Sequence, residues 1–377
     1  MTAPHVAIKT HFRKLKDPRR TNRNRHLLLD IITITLCAVI CGCNDWQQVE
    51  TFGKGRIDWL KSFLKLPNGI PSHDTFERVF DRLNPQAFQA CFRSWMGALH
   101  EALGLSPIAI DGKTLRGSGV GGLQALHVVS AWATVNGLSL GQLAVEEKSN
   151  EIPAIPKLLE LLDVHGALVT IDAMGCQKEI AAKIIACGGD YVLTVKENQP
   201  TLLADIEACF AQAAGANFES MENDTHETSE RKHGRETTRH YHILLNPEFE
   251  SKSQWEGLQV IGKCYSEGLR DGKPTQEVRY FIGSRKAGAK VYGNALRGHW
   301  GIENQLHWQL DVSFGEDKNR VSRRNAADNL SVVRRVALSL LKQHPGKRSI
   351  ACKRLQAALD PHFLEAVLRG ETDSGKI

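Results

Sequence analysis

Asp111 ends the apolar run Pro107-Ile108-Ala109-Ile110, and Asp172 ends Ala167-Leu168-Val169-Thr170-Ile171. Glu303 lies in the helix-like stretch His299-Trp300-Gly301-Ile302-Glu303-Asn304. A carboxylate at the tip of a buried strand has a fixed root, while its head reaches the sheet edge. Two such tips and a helical acid can converge on a divalent cation and hold it against a phosphate, where it polarises the ester and activates water. Each acid also has a plain alternative. Ile-Asp-Gly forms strand-end turns, Asp172 can cap the helix that includes Lys178, and most helical Glu side chains are simply solvated. The likeness of the two Asp contexts favours the metal reading, because neighbouring carboxylates need a cation or a raised pKa. Asp311 is the chief rival of Glu303, followed by Glu316 and Asp317. Trp300, Glu303 and His307, spaced three and four apart, are expected to share one helix face.

Other chemistries fit less well. Gly112-Lys113-Thr114 resembles the end of a phosphate loop, but Pro107 stands where that motif needs Gly. Gly112 instead leaves room for a phosphate beside Asp111. His299 and His307 lack the partners of a tetrahedral zinc site, and oxygen donors favour Mg²⁺ or Mn²⁺. Lys196, just past a strand, is placed either for phosphate contact or as an ordinary exposed lysine. Tyr191 and His127 read as packing residues.

The elements that must position these acids come in blocks. Residues 1–105 carry helical patterning, with a Ser72 cap before Phe76, Val79 and Phe80 and with Pro85 opening a helix through Phe88, Phe92 and Trp95. From 106 to 199 the order is three strands, helix, strand, helix, strand, with a Val135-Asn136-Gly137 turn between the second and third strands. That order can set the first and fourth strands side by side. It predicts an α/β fold whose mixed sheet carries helices on its faces, the layout of a ribonuclease-H-like core. Residues 200–284 read as a mainly β insertion, with strands near 239–244, 258–264 and 277–282 and a polar loop over 217–239. The core resumes over 285–345 with one helix from about Val291 to Asp311 and another from Ala326 to Lys342. Residues 346–377 read as a basic, weakly specified tail.

The chain of 377 residues carries 48 Lys and Arg against 42 Asp and Glu, a net charge of +6 that leans towards polyanions. The excess is concentrated in His11–Arg25 and in Lys318, Arg320, Arg323 and Arg324, followed by Arg334 and Arg335. Either run alone could be a solvated face; two favour phosphate contact. Nine scattered cysteines without a CxxC pair indicate buried thiols in a reducing compartment. No signal peptide is evident, and the apolar stretch from Ile31 to Cys43 is too short for a bilayer, so a cytoplasmic protein is expected.

Several segments resemble the H-repeat-associated DDE transposases of bacterial insertion sequences. They are Ala109–Arg116, Glu147–Ile152, Asp172–Gln177, Gly188–Tyr191 and His299–Trp308 through Glu316-Asp317, with Asp17–Arg20 and Cys37–Gly42 in the helical part. The resemblance spans nearly the whole chain. It implies a ribonuclease-H-like core, a β insertion and two catalytic metal ions, with Asp111, Asp172 and Glu303 as catalytic and metal-binding acids. Related families place Tyr, Arg and Lys around the helical Glu. Here Leu296, His299 and Leu310 occupy those positions, and Arg297 is the candidate substitute. Expected DNA contacts are Lys113, Lys196, Arg297, His299, Lys318, Arg320, Arg323 and Arg324. The implied partners are the double-stranded element ends and target DNA, with Mg²⁺ (or Mn²⁺) as cofactor, bound by a homodimer or larger assembly in the cytoplasm at the nucleoid. Two alternatives remain at this point: an inactive, domesticated or decaying DNA-binding relative, and a nuclease that cuts without joining.

Overall fold

The computed structural model describes residues 6–19, 24–104, 106–119, 124–145, 151–219, 221–232, 235–270, 273–319, 321 and 323–370. Arg320, Arg20, Arg23 and the Glu147–Asn150 segment therefore lie outside the described residues. The elements in chain order are α1 (Val6–Phe12), α2 (Leu28–Ile40), α3 (Trp46–Gly55), α4 (Ile57–Lys61), α5 (His73–Arg82), α6 (Pro85–Leu103), β1 (Ile108–Leu115), β2 (Leu126–Ala133) and β3 (Leu138–Val145). Then come α7 (Glu151–Glu160), β4 (Leu168–Ile171), α8 (Lys178–Ala186), β5 (Asp190–Val195), α9 (Pro200–Gly215), β6 (Asn223–Lys232) and β7 (Arg235–Leu245). The chain continues with β8 (Val260–Arg270), β9 (Lys273–Gly283), α10 (Ala289–Gly301), α11 (Trp308–Val312), α12 (Arg324–Gln343), α13 (Ile350–Leu359) and α14 (Pro361–Arg369). Two compact units result: Met1–Gly104 with Gly112–Glu151 and Glu303–Ile377, and Leu105–Asp111 with Ile152–Ile302.

In the first unit the apolar sequence of α2 is buried from Asp30 to Ile40, and the one acid among these residues accepts the Leu66 N–H at 3.0 Å. Helix ends follow local chemistry: Asp45 caps α3, and Asn84 followed by Pro85 starts α6. Ser72 is the first cap residue of α5, but its hydroxyl meets Thr75 Oγ1 at 3.1 Å rather than a backbone N–H. Helix α12 runs through the centre of this unit, packed against α2, α5, α6, α13 and β3. Strands β2 and β3 pair antiparallel. Among the cysteines of this unit, Cys37 is buried, and burial pushes Cys41 to about 12 and Cys43 to about 11, so these thiols stay protonated and poorly nucleophilic at neutral pH. Up to Gly370 the expected tail is instead α13 and α14, whose Phe363, Leu364 and Val367 are buried, and residues 371–377 lie outside the described residues. Basic residues within this stretch, of which Lys353 and Arg354 are themselves buried, had masked that apolar stripe.

In the second unit the strand order is β1-β4-β5-β9-β8-β7-β6, with β1, β4 and β5 parallel and the rest antiparallel. The fold is thus mixed α/β with a large mixed sheet. Val192, Tyr241, Val260, Phe281, Tyr292 and Ala295 form a core between α10 and the sheet. Two expectations for 200–284 are corrected. Residues 200–215 form α9, begun by Pro200 at its first turn. The polar stretch expected as a loop is β6, paired in register with β7. Its sequence NDTHETSERK has no apolar face to signal a strand, its half-buried side being His226, Thr228 and Glu230; backbone bonds and cross-strand contacts such as Ser229 Oγ to Thr238 Oγ1 (3.0 Å) hold it. Among the described residues, no helix is long and apolar enough to cross a membrane.

Candidate active site

Strands β1 and β4 pair parallel with Ile108 opposite Val169, Ala109 opposite Thr170 and Ile110 opposite Ile171. Asp172 is the first residue past β4, whereas Asp111 lies inside β1, which runs on to Leu115 instead of ending at Ile110 as expected; each follows the last paired position, so their roots are neighbours. Neighbouring strands are about 4.8 Å apart, which puts the roots of two carboxylates within reach of one cation. Both residues are half-buried. Asp172 does not cap α8, whose first cap residue is Gln177. Its Oδ1 accepts the Gly175 N–H at 3.2 Å across the short turn Ala173–Gly175, and this bond orients the carboxylate. A hard oxygen donor pair of like charge fits a divalent cation. Among the described residues, however, no group of three or more His, Cys, Asp or Glu is gathered as a complete metal cluster.

A cavity of about 370 Å³ is lined mainly by β7, β8, β9 and α10, among them Arg279, Arg297, His299 and Trp300, and reaches Thr170 of β4 and Thr194 of β5. His299 Nδ1 and Thr170 Oγ1 are 3.0 Å apart. Burial pushes the His299 imidazole below its ordinary value, against the opposing pull of Asp172. Arg297 donates through Nε (2.9 Å) and Nη2 (2.5 Å) to the two carboxylate oxygens of Glu230, so that acid already balances its charge. Arg279 lies over the Trp300 ring at 5.0 Å. Lys196, past the end of β5, is exposed.

In the first unit, Glu303 is exposed and sits in a π-helical turn, Ile302–His307, between α10 and α11. The segment expected as one helix from about Val291 to Asp311 is helical throughout, with this π turn inside it. Such turns recur at functional sites. Of the three residues expected on one face, Trp300 and Glu303 are exposed while His307 is only 7% exposed. Asp311 is engaged elsewhere: its Oδ1 is 2.7 Å from Lys113 Nζ, which also contacts Asp317 (3.1 Å). Lys113 is 9% exposed, so its ammonium is committed to carboxylates inside the unit and does not face solvent as a phosphate contact would. The basic run also divides. Lys318 is exposed, Arg323 pairs with Glu77 (3.4 Å) and Asp81 (3.2 Å), and Arg324 begins α12. Arg334 and Arg335 are not surface groups at all: each is at most 3% exposed, and Arg335 Nη1 lies 3.0 Å from Glu316.

Sequence reading passed over one buried pair. His127 Nε2 lies 3.0 Å from Glu151 Oε2, and its Nδ1 lies 2.9 Å from Thr114 Oγ1. A Cβ on Gly112 would strike the Glu151 carboxylate and sit 2.6 Å from His127 Nε2. Gly112 is therefore small because this pair presses on it, not to leave space for phosphate. The available signal was Glu151 itself, an acid ahead of an apolar helix. Gly112→Ala is expected to destabilise the chain by about 1–3 kcal/mol through overpacking. Chemical denaturation checks this, and an unchanged midpoint contradicts it.

The structure is mixed α/β with two acids rooted side by side on adjacent parallel strands, and comparison makes the class specific. The family model described as "Transposase DDE domain" matches residues 103–340, and that described as "DDE_Tnp_1-associated" matches residues 9–96. The chain belongs to the DDE transposase family. It is 42% identical to "Putative transposase YncI" of Escherichia coli O157:H7, over 96% of this chain and 94% of that one. It is 39% identical to "H repeat-associated putative transposase YhhI" of Escherichia coli (strain K12), over 96% and 97%. A piggyBac transposase synaptic complex with hairpin DNA aligns with TM-score 0.44 and 9% identity, covering 100% of this chain and 83% of that one. That likeness is too loose to argue from.

Proposed function

We propose that this chain is an insertion-sequence transposase that cuts DNA at the element ends and joins them to target DNA. The adjacent register of β1 and β4 carries the reading, because it gives Asp111 and Asp172 one shared edge. Asp111, Asp172 and Glu303 would hold Mg²⁺, or Mn²⁺ in its place, and the bound metal would supply a Lewis acid for the phosphate and a more acidic water. Asp111 and Asp172 fix the phosphate's approach through rigid strands. Water attacks the phosphodiester, the P–O bond to the departing strand breaks, and a 3′-hydroxyl is freed. That hydroxyl then attacks a target phosphodiester, forming one P–O bond while another breaks, with its proton passing to solvent. The core is read as ribonuclease-H-like over 106–199 and 285–345, with 200–284 as its insertion and 1–105 as the DNA-binding domain. Joining two ends calls for at least two copies of the chain, acting in the cytoplasm.

Glu303 is preferred to Asp311 because Lys113 already engages Asp311. Glu303→Gln is expected to abolish cleavage, whereas Asp311→Asn retains activity within about tenfold. The reverse order, measured on one DNA duplex, transfers the role to Asp311. The function as a whole is tested by incubating the full chain with DNA flanking its own gene, with and without Mg²⁺. Metal-dependent cutting and joining are expected. Cutting without joining makes it a nuclease, and binding without cutting makes it an inactive relative.

A further inference from the structure

The first unit contains a second cavity, of about 900 Å³, far from β1 in sequence and lined by residues from the N-terminal arm and α5. Arg19, Arg25, Ser72, Thr75, Arg78 and Arg82 contribute to it, and among its described lining residues there is no Asp or Glu. Charge sorting on α5 explains this. Thr75, Arg78 and Arg82 are spaced three and four apart and form one stripe along the helix. Phe76, Val79 and Phe80 are buried, and α5 packs on α3 and α12, which holds that stripe rigidly. The acids of α5 point elsewhere: Glu77 and Asp81 face Arg323, and Asp74 Oδ1 lies 3.3 Å from His73 Nε2.

Across the cavity, Arg19 is clamped by Asp17 (2.9 and 2.6 Å) and the His26 carbonyl (2.7 Å), which fixes the wall carrying Arg25. Arg25, Arg78 and Arg82 are exposed. The Arg78 Nε bonds the Asp74 carbonyl at 3.1 Å, which lays its stem along the helix. Residues four apart on a helix differ by about 6 Å in height, comparable with the step between neighbouring phosphates of one DNA strand. A wide, open cleft with no carboxylate among its described lining residues and cations at that spacing suits a polyanionic backbone better than one small anion.

We propose that this cleft grips the phosphate backbone of duplex DNA, with Arg25, Arg78 and Arg82, none of them a candidate catalytic residue, as its contacts. The proposal takes only the identity of the polyanion from the transposase reading. The test is fluorescence anisotropy of the full chain with an element-end duplex and a scrambled duplex across a range of salt. For Arg78→Ala/Arg82→Ala, affinity for both duplexes is expected to fall at least about tenfold near 0.1 M salt. The slope of log affinity against log salt should lose about 2. Arg78→Lys/Arg82→Lys should restore most of both, which separates lost charge from lost folding. Unchanged affinity and slope, a loss confined to the element-end sequence, or an unrestored lysine variant overturns the proposal. Wild type that binds neither duplex overturns it together with the transposase reading; wild type that binds while the alanine variant matches it overturns the cleft alone.

Discussion

Asp111→Asn and Asp172→Asn are each expected to lower end cleavage and strand joining by at least about 1,000-fold, a loss of roughly 4 kcal/mol of transition-state stabilisation. Duplex binding should stay within about threefold, because the proposed cations lie on other residues. The size of the effect follows from position. Each carboxylate stands next beyond a paired position of two adjacent parallel strands, so an amide removes charge without moving the scaffold. The two losses should not add when combined, since residues acting as one unit are already disabled by the first change. Single-turnover cleavage with each variant checks this. A rate within tenfold of wild type for either one removes that residue from the site.

The second large effect concerns stability. Arg335 and Glu316 form an ion pair with side chains 2% and 1% exposed, and Arg335 Nη1 also bonds the Ser331 carbonyl at 3.3 Å. Arg335→Met leaves Glu316 buried with its closest partner gone, which costs about 3–5 kcal/mol. For a cooperative unit of ~200 residues that lowers the thermal midpoint by roughly 10 °C. Adding Glu316→Leu should recover most of the loss, because a buried pair replaced by apolar groups is often neutral. A midpoint shift under 2 °C for the single variant contradicts the assigned role of this pair.

The strands bearing Asp111 and Asp172 were legible because buried β-strands are short apolar runs, and an acid at the end of such a run breaks the pattern visibly. Their adjacency was legible from element order as well. Strand β6 was not, since a ribbon without an apolar face carries no hydrophobic period and its pairing depends on backbone bonds. The π turn at Glu303 was also hidden, because its residues fit an ordinary helix equally well and only packing selects the wider turn. Basic residues were the most misleading class. Sequence shows a charge but not its partner, so Lys113 and Arg335 looked available although each serves carboxylates inside its unit. Arg78 and Arg82 drew no notice because Glu77 and Asp81 sit among them. Only the helix geometry separates the two signs onto different faces.

The claim that Asp111 and Asp172 share a metal ion is tested most directly by changing the ligand chemistry rather than deleting it. Asp172→Cys offers a softer donor that suits Mn²⁺ better than Mg²⁺. Cleavage of an element-end duplex by this variant should be lost in Mg²⁺ and recovered at least about tenfold in Mn²⁺, with wild type active in both. Equal activity of the variant in the two metals, or full activity in Mg²⁺, would show that Asp172 does not ligate the ion.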